Sequence, residues 1–255
     1  MSFAVRVCTL FPEFFSSAFQ TSILGRAIEE SIVDVTLFDI RDFANNRHKS
    51  VDDSPYGGGA GMVMQAAPVC AAVRAARRSA PGVPVIHLSP QGATFTQRHA
   101  EWLAGLPGAI FLCGRYEGID ERAIDRCVDV ELSLGDFVLT GGEPAAAVMI
   151  DAAVRLLPGV LGNSESATEE SFSGPRLEHP QFTRPLLFDG VEVPSVLRSG
   201  DHGGIARWRS DMSERRTAAR RPDLLEGVSP GMESSARDDE WLWKRRHPDL
   251  AVDET

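Results

Sequence analysis

Apolar positions along this chain follow two alternating rhythms. Residues 3–10 alternate and then become wholly apolar, which predicts a first strand ended by Phe11-Pro12. Residues 22–31 have helical spacing, and 33–40 alternate again as a strand. The order then repeats. An alanine-rich helix is expected over 68–78, a strand over 83–88, a helix over 96–104 and a strand over 109–113. A helix over 117–124, a strand over 128–132 and a helix over 144–157 follow, the last stopped by Pro158-Gly159. Strands alternating with helices predict an α/β domain with a mainly parallel sheet and helices on both faces.

Two stretches break the rhythm. Residues 41–61 form a long polar, glycine-rich segment holding Asp52, Asp53 and Gly57-Gly58-Gly59, and loops of that length tend to be functional or disordered. From 162 to 174 the periodicity disappears into Asn, Ser, Glu, Thr and Gly, the composition of a linker. Beyond it, 203–220 and 234–245 read as helices separated by Pro222 and Pro230, with Trp208, Trp241 and Trp243 offering a small core. The expected organisation is therefore an α/β domain at 1–161, a linker at 162–174 and a helical domain at 175–255.

Candidate chemistry concentrates in residues 133–163. A short apolar run at 137–139 leads to Gly141 and Gly142, which allow positive φ and close approach of a ligand to the backbone. Pro144 follows at a first helical position, where its missing N–H costs nothing. The stretch Cys113-Gly114-Arg115-Tyr116-Glu117-Gly118 likewise follows an apolar run. Two such turns suggest one pocket built from neighbouring strand ends, where open parallel sheets bind ligands. No window reads G-x-G-x-x-G and no phosphate-loop lysine is present, so dinucleotide and ATP readings lose their usual support.

Composition narrows the class. Hydrophobic residues at 43% and charged residues at 24% fit a soluble globular protein, with no run of membrane-spanning length and no signal-peptide layout. Four cysteines without Cys-x-x-Cys spacing read as reduced thiols in the cytoplasm, and His48, His87 and His99 lack ligand spacing, so no metal site is expected. The net charge of −10 disfavours nucleic acid in bulk. Its distribution does not, because Arg207, Arg209, Arg215, Arg216, Arg220 and Arg221 crowd one stretch and Lys244, Arg245 and Arg246 a second. A solvated helix face is the plain alternative.

The two glycine turns belong to a longer series. Together with Ser54-Pro55-Tyr56-Gly57-Gly58-Gly59-Ala60-Gly61-Met62, Leu88-Ser89-Pro90-Gln91-Gly92, Pro158-Gly159-Val160-Leu161-Gly162, Phe182-Thr183-Arg184-Pro185, Val193-Pro194-Ser195-Val196-Leu197 and Ser199-Gly200-Asp201-His202, they make nearly the whole chain resemble the TrmD family of bacterial tRNA (guanine-N1)-methyltransferases. The resemblance implies the knotted SPOUT class, an α/β sheet ending in a trefoil knot. It also implies a homodimer with active sites at the subunit interface, and S-adenosylmethionine as methyl donor. The substrate it implies is the guanosine immediately 3′ of the tRNA anticodon, position 37. Cofactor contacts fall on Leu88, Ser89 and Pro90, on Gly114, Tyr116 and Glu117, and on Leu134, Gly135, Asp136, Phe137, Val138, Leu139, Gly141, Gly142 and Pro144. Arg215, Arg216, Arg220 and Arg221 stand as the tRNA contacts.

Guanine N1 is a poor nucleophile until its proton leaves, so the reaction asks for a carboxylate base and a cation for the charge left behind. The family's Arg matches Arg155, and its catalytic Asp position holds Glu170, one methylene longer. Glu178 stands where the family has a second Asp. Arg155 also follows Asp151 at i,i+4, where a plain ion pair would account for it. Two other functions fit parts of the pattern: a related knotted methyltransferase acting elsewhere on RNA, and a non-catalytic RNA-binding relative.

Overall fold

All five strands of the main sheet run parallel, as the strand–helix alternation requires. The computed structural model describes residues 2–162 and 170–225, which fall into two compact units, one up to Gly162 and one from Glu170. The first unit runs β1 (Phe3–Thr9), α1 (Ser22–Glu29), β2 (Val33–Asp39), β3 (Asp52–Asp53), β4 (Val63–Met64), α2 (Ala66–Ser79), β5 (Val85–Thr94), α3 (Gln97–Ala104), β6 (Gly108–Cys113), α4 (Glu121–Cys127), β7 (Val130–Ser133) and α5 (Glu143–Val154). The sheet order is β2-β1-β6-β5-β7, and β3 and β4 form a separate antiparallel ribbon.

Strand β6 shows why this sheet is buried on both sides. Every residue from Gly108 to Cys113 is buried, with Ala109, Phe111 and Cys113 in one apolar cluster and Ile110 and Leu112 in the other. Successive side chains point to opposite faces, so an unbroken apolar run needs cover on both. Helices α1, α3 and α5 supply it on one face, and α2 and α4 on the other.

Several boundaries depart from the sequence reading, three of them for a visible local reason. Strand β5 continues past Leu88 to Thr94 through an irregularity: Leu88 and Ala93 both pair with Leu132, so residues 89–92 are extruded. Helix α4 starts at Glu121 rather than 117, because Tyr116 and Gly118 take positive φ and Asp120 then caps the helix through the N–H of Arg122. Helix α5 stops at Val154, with Arg155 as its C-cap, three residues short of the expected end.

Helix α3 carries a capping box with a histidine in it. The N–H of Thr96 donates to His99 Nδ1 at 2.9 Å, so that nitrogen must be unprotonated. Burial, helped by the charge of Arg98, lowers the His99 pKa from 6.5 to about 4. The unfolded chain therefore binds a proton first as pH falls, and stability present above pH 6.5 is lost progressively down to pH 4. Because the ring is partly solvated, the loss should be about 1 kcal/mol. Urea unfolding of wild type and His99→Gln at pH 7 and pH 4.5 measures it; the variant should lose this part of the pH dependence.

The second unit holds β8 (Leu187–Phe188), β9 (Val191–Glu192), α6 (His202–Arg220) and α7 (Pro222–Leu225). The segment around Leu177 docks on α6 through its N–H to Thr217 Oγ1 at 2.9 Å and through its carbonyl, which accepts from Ser213 at 2.6 Å. Trp208 lies against Phe182 and His179. The expected helix at 234–245, with Trp241 and Trp243, and the basic cluster Lys244 to Arg246 lie outside the described residues. Among the described residues no helix is long and apolar enough to cross a membrane.

Candidate active site

Residues 89–91 of the extruded segment form one wall of a cavity of about 430 Å³ beyond the C-terminal ends of the parallel-paired parts of β5, β6 and β7. Gly92 makes the extrusion possible, since a Cβ there would overlap the backbone of Glu131. The cavity lies where an open parallel sheet leaves its strand ends free, and its size suits a small-molecule ligand.

Of the residues expected to contact a cofactor, thirteen line this cavity: Leu88, Ser89, Pro90, Gly114, Tyr116, Glu117, Leu134, Gly135, Phe137, Val138, Leu139, Gly141 and Gly142. Asp136 and Pro144 do not, Pro144 being on the first turn of α5. Tyr116 holds φ +60°, a conformation costly for a bulky side chain, and keeps its ring half exposed at the rim. Residues 137–139 form no strand, and Phe137, Val138 and Leu139 are exposed.

Gly141 and Gly142 serve by a different route from the one the sequence suggests. Neither takes a positive φ, and Gly142 sits at −78°. What they allow is close approach: a Cβ on Gly142 would lie 2.8 Å from the Cα of Cys113, and one on Gly141 would overlap the Arg115 side chain. The Gly142 N–H donates to the Gly114 carbonyl at 3.0 Å, which joins the two glycine turns directly.

A buried ion pair fixes the same junction. Glu143, fully buried, lies 2.9 Å from Arg115 Nε and accepts a 2.7 Å hydrogen bond from Thr9 Oγ1. The Arg115–Glu143 contact is off-line for a hydrogen bond, so it holds by charge. Arg115 also donates to the Thr140 carbonyl and lies over the Phe11 ring at 4.4 Å. Glu143 opens α5, where the helix dipole favours negative charge. Sequence reasoning passed over Arg115 and Glu143, although both stand inside or beside the glycine turns. It weighed His87 only as a metal ligand and passed over Glu131; both are on the cavity wall, with Nδ1 and Oε2 3.1 Å apart.

The long glycine-rich segment reaches the site at one point. Gly57, Gly58 and Gly59 face open space and Tyr56 is fully exposed, whereas Gly61 packs against Glu117 and the Met62 carbonyl accepts the Glu117 N–H.

The second unit has a cleft of its own, about 360 Å³, lined among others by Glu170, Arg176, Glu178, His179 and Arg209. Glu170 stands at its edge, its carbonyl accepting from the Ser173 N–H and hydroxyl. Arg155 belongs to the first unit, at the C-cap of α5, and is not on the cavity wall. The four arginines expected to meet tRNA divide into two kinds. Arg215 and Arg220 are exposed on α6. Arg216 donates to the Glu178 carbonyl, and Arg221 grips Asp223 with two nitrogens.

The family model described as tRNA (Guanine-1)-methyltransferase TrmD matches residues 3–227. The chain belongs to the TrmD family. Its similarity to individual members runs nearly end to end. A tRNA (guanine-N(1)-)-methyltransferase of Chloroflexus aggregans is 55% identical over 86% of each chain. Proteins of the same description from Myxococcus xanthus and Geobacillus kaustophilus are 52% and 50% identical, over 89% and 87% of this chain and 92% and 91% of their own. Both glycine turns, the cavity and the second unit's cleft all fall within the residues that match the TrmD model.

Proposed function

We propose that this chain methylates N1 of the guanosine immediately 3′ of the tRNA anticodon, with S-adenosylmethionine bound in the first unit's cavity. The observation that carries the cofactor assignment is the cavity itself, which thirteen residues expected from three separate stretches line together. Its chemistry fits the donor. Backbone polar groups at 88–90, 114–117 and 134–142 can meet an adenine edge and a ribose, and Glu117, Glu121 and Glu131 on the lining bring negative charge suited to a sulfonium and an ammonium. When bound, S-adenosylmethionine supplies an electrophilic methyl group.

The chain's own residues deal with the base. Glu170 accepts the guanine N1 proton, and Arg155 stabilises the negative charge left on the adjacent carbonyl oxygen. The second unit binds tRNA through the exposed face of α6. Two copies of the chain complete each site, a reading supported by the exposed apolar side chains of Phe137, Val138 and Leu139 on the cavity lining and Val148 on α5. The trefoil knot and a cytoplasmic location belong to the same proposal.

Calorimetric titration of S-adenosylmethionine, followed by methylation of tRNA transcripts differing only at the base 3′ of the anticodon, tests it. Saturable binding and methylation of the guanosine transcript alone are expected; methylation indifferent to that base would refute the substrate. Replacing Arg215 and Arg220 by Ala should flatten the log–log salt dependence of tRNA binding by about two units, roughly one for each phosphate no longer neutralised. Arg216→Ala and Arg221→Ala should lower the stability of the second unit more than they change that slope, because both side chains are engaged internally. Filter binding between 50 and 300 mM salt separates the two pairs.

A further inference from the structure

Two of the four cysteines, 57 positions apart in the chain, meet where α2 packs on α4. Cys70 lies on α2 and Cys127 is the last residue of α4; their sulfurs are 2.8 Å apart, and both side chains are buried. A disulfide needs about 2.04 Å between sulfurs, so closing the bond moves them together by less than 1 Å. We propose that Cys70 and Cys127 are an oxidisable dithiol that closes to a reversible intrachain disulfide, tying α4 to α2, with Cys70 as the attacking thiol and a hydroperoxide as the oxidant.

The surroundings favour this order of events. The Cys127 thiol donates its hydrogen to the Cys70 sulfur, and this bond, with the nearby charges of Arg74 and Arg126, lowers the Cys70 pKa from 9.0 to about 7 against burial and Asp120. The same hydrogen bond keeps the proton on Cys127. Arg74 and Arg126 are exposed, so the pair lies close beneath the surface. Cys8 and Cys113 differ: burial raises both thiols, Cys8 to about 12, and leaves them as poor nucleophiles.

The chemistry balances with hydrogen peroxide. The Cys70 thiolate attacks one peroxide oxygen, the O–O bond breaks, and the departing hydroxide takes a proton and leaves as water. Cys70 is then a sulfenic acid. Cys127 gives up its proton and attacks that sulfur; the S–S bond forms, the S–O bond breaks, and a second water leaves. Two thiols lose two electrons and one peroxide becomes two waters. A dithiol such as dithiothreitol reverses the step by exchange. The crosslink bears on the cavity, because Ile124 of α4 and Ile119 just before it line the cavity wall and also belong to the core beneath.

The test is peroxide treatment of the full chain, alkylation of remaining thiols, digestion and mass spectrometry. A linked pair of peptides containing Cys70 and Cys127, two hydrogens lighter than the separate peptides, is expected, with Cys8 and Cys113 alkylated after unfolding. The linked pair should vanish after dithiothreitol. Cys127→Ala should accumulate a sulfenic acid on Cys70 that dimedone traps, whereas Cys70→Ala should leave Cys127 largely unlabelled. Full alkylation of both cysteines in peroxide-treated wild type overturns the disulfide. Equal dimedone labelling of Cys127 in the Cys70→Ala variant overturns the assignment of the attacking thiol. Wild-type protein alone decides the first point should either variant fail to fold. Neither result depends on the methyl-transfer reading.

Discussion

Gly142→Val is expected to weaken S-adenosylmethionine binding by ~100-fold or more while the protein stays folded. The added Cβ would stand 2.8 Å from the Cα of Cys113 and 3.2 Å from the Gly114 N, so backbone rather than a flexible side chain must give way. Overpacking of this kind costs ~1–3 kcal/mol, within what a domain of this size tolerates. The site tolerates it less, since pushing α5 away from β6 breaks the Gly142–Gly114 hydrogen bond and disturbs the Arg115–Glu143 pair. Both glycine turns then shift, and misplacement of site groups by ~1 Å can cost ~100-fold in function. Gly162→Val is the control, because a Cβ at Gly162 meets nothing within 4 Å. Calorimetry on both variants, beside far-ultraviolet circular dichroism, checks this. Wild-type affinity in a folded Gly142→Val protein would remove the turn from the cofactor site.

Those same glycines show how far the sequence could be read. Hydrophobic periodicity was enough for the order of the main-sheet strands and their helices in the first unit, because a doubly covered parallel sheet needs unbroken apolar runs such as Ala109 to Cys113, but it missed the short β3–β4 ribbon. It could not show that 89–92 leave β5 and that the strand then resumes, since the extrusion depends on pairing with β7, forty residues on. Nor could it distinguish a glycine kept for positive φ from one kept for close approach: Gly142 looks like the first and is the second. Helix starts moved for local reasons visible only in the backbone, as where Tyr116 and Gly118 delay α4 until Asp120 can cap it. Charge was the least legible feature. Arg215, Arg216, Arg220 and Arg221 read as one cluster, yet two of them are committed to partners inside the second unit.

Glu170→Gln should lower the single-turnover methylation rate by ~10²–10⁴ while S-adenosylmethionine binding persists, the loss typical of a positioned general base. The side chain keeps its size and hydrogen-bonding capacity and loses only the ability to take a proton from guanine N1. Glu170 lines the second unit's cleft, in a turn fixed by two hydrogen bonds from Ser173 to its carbonyl. Arg176 and Arg209 line the same cleft and would draw in the substrate's negative charge. Glu170→Asp should stay active, because Asp keeps the carboxylate that can take the proton. Glu178 lines the cleft as well, but its carboxylate accepts from the Gln181 amide and its N–H donates to Ser171 Oγ. Glu178→Gln should therefore reduce the rate far less than Glu170→Gln. The order of the three rates carries the test. If Glu170→Gln matched wild type and Glu178→Gln collapsed, the base would be Glu178. If neither changed the rate, the proton would leave by way of water, and Glu170 would be an ordinary charge at the edge of the cleft.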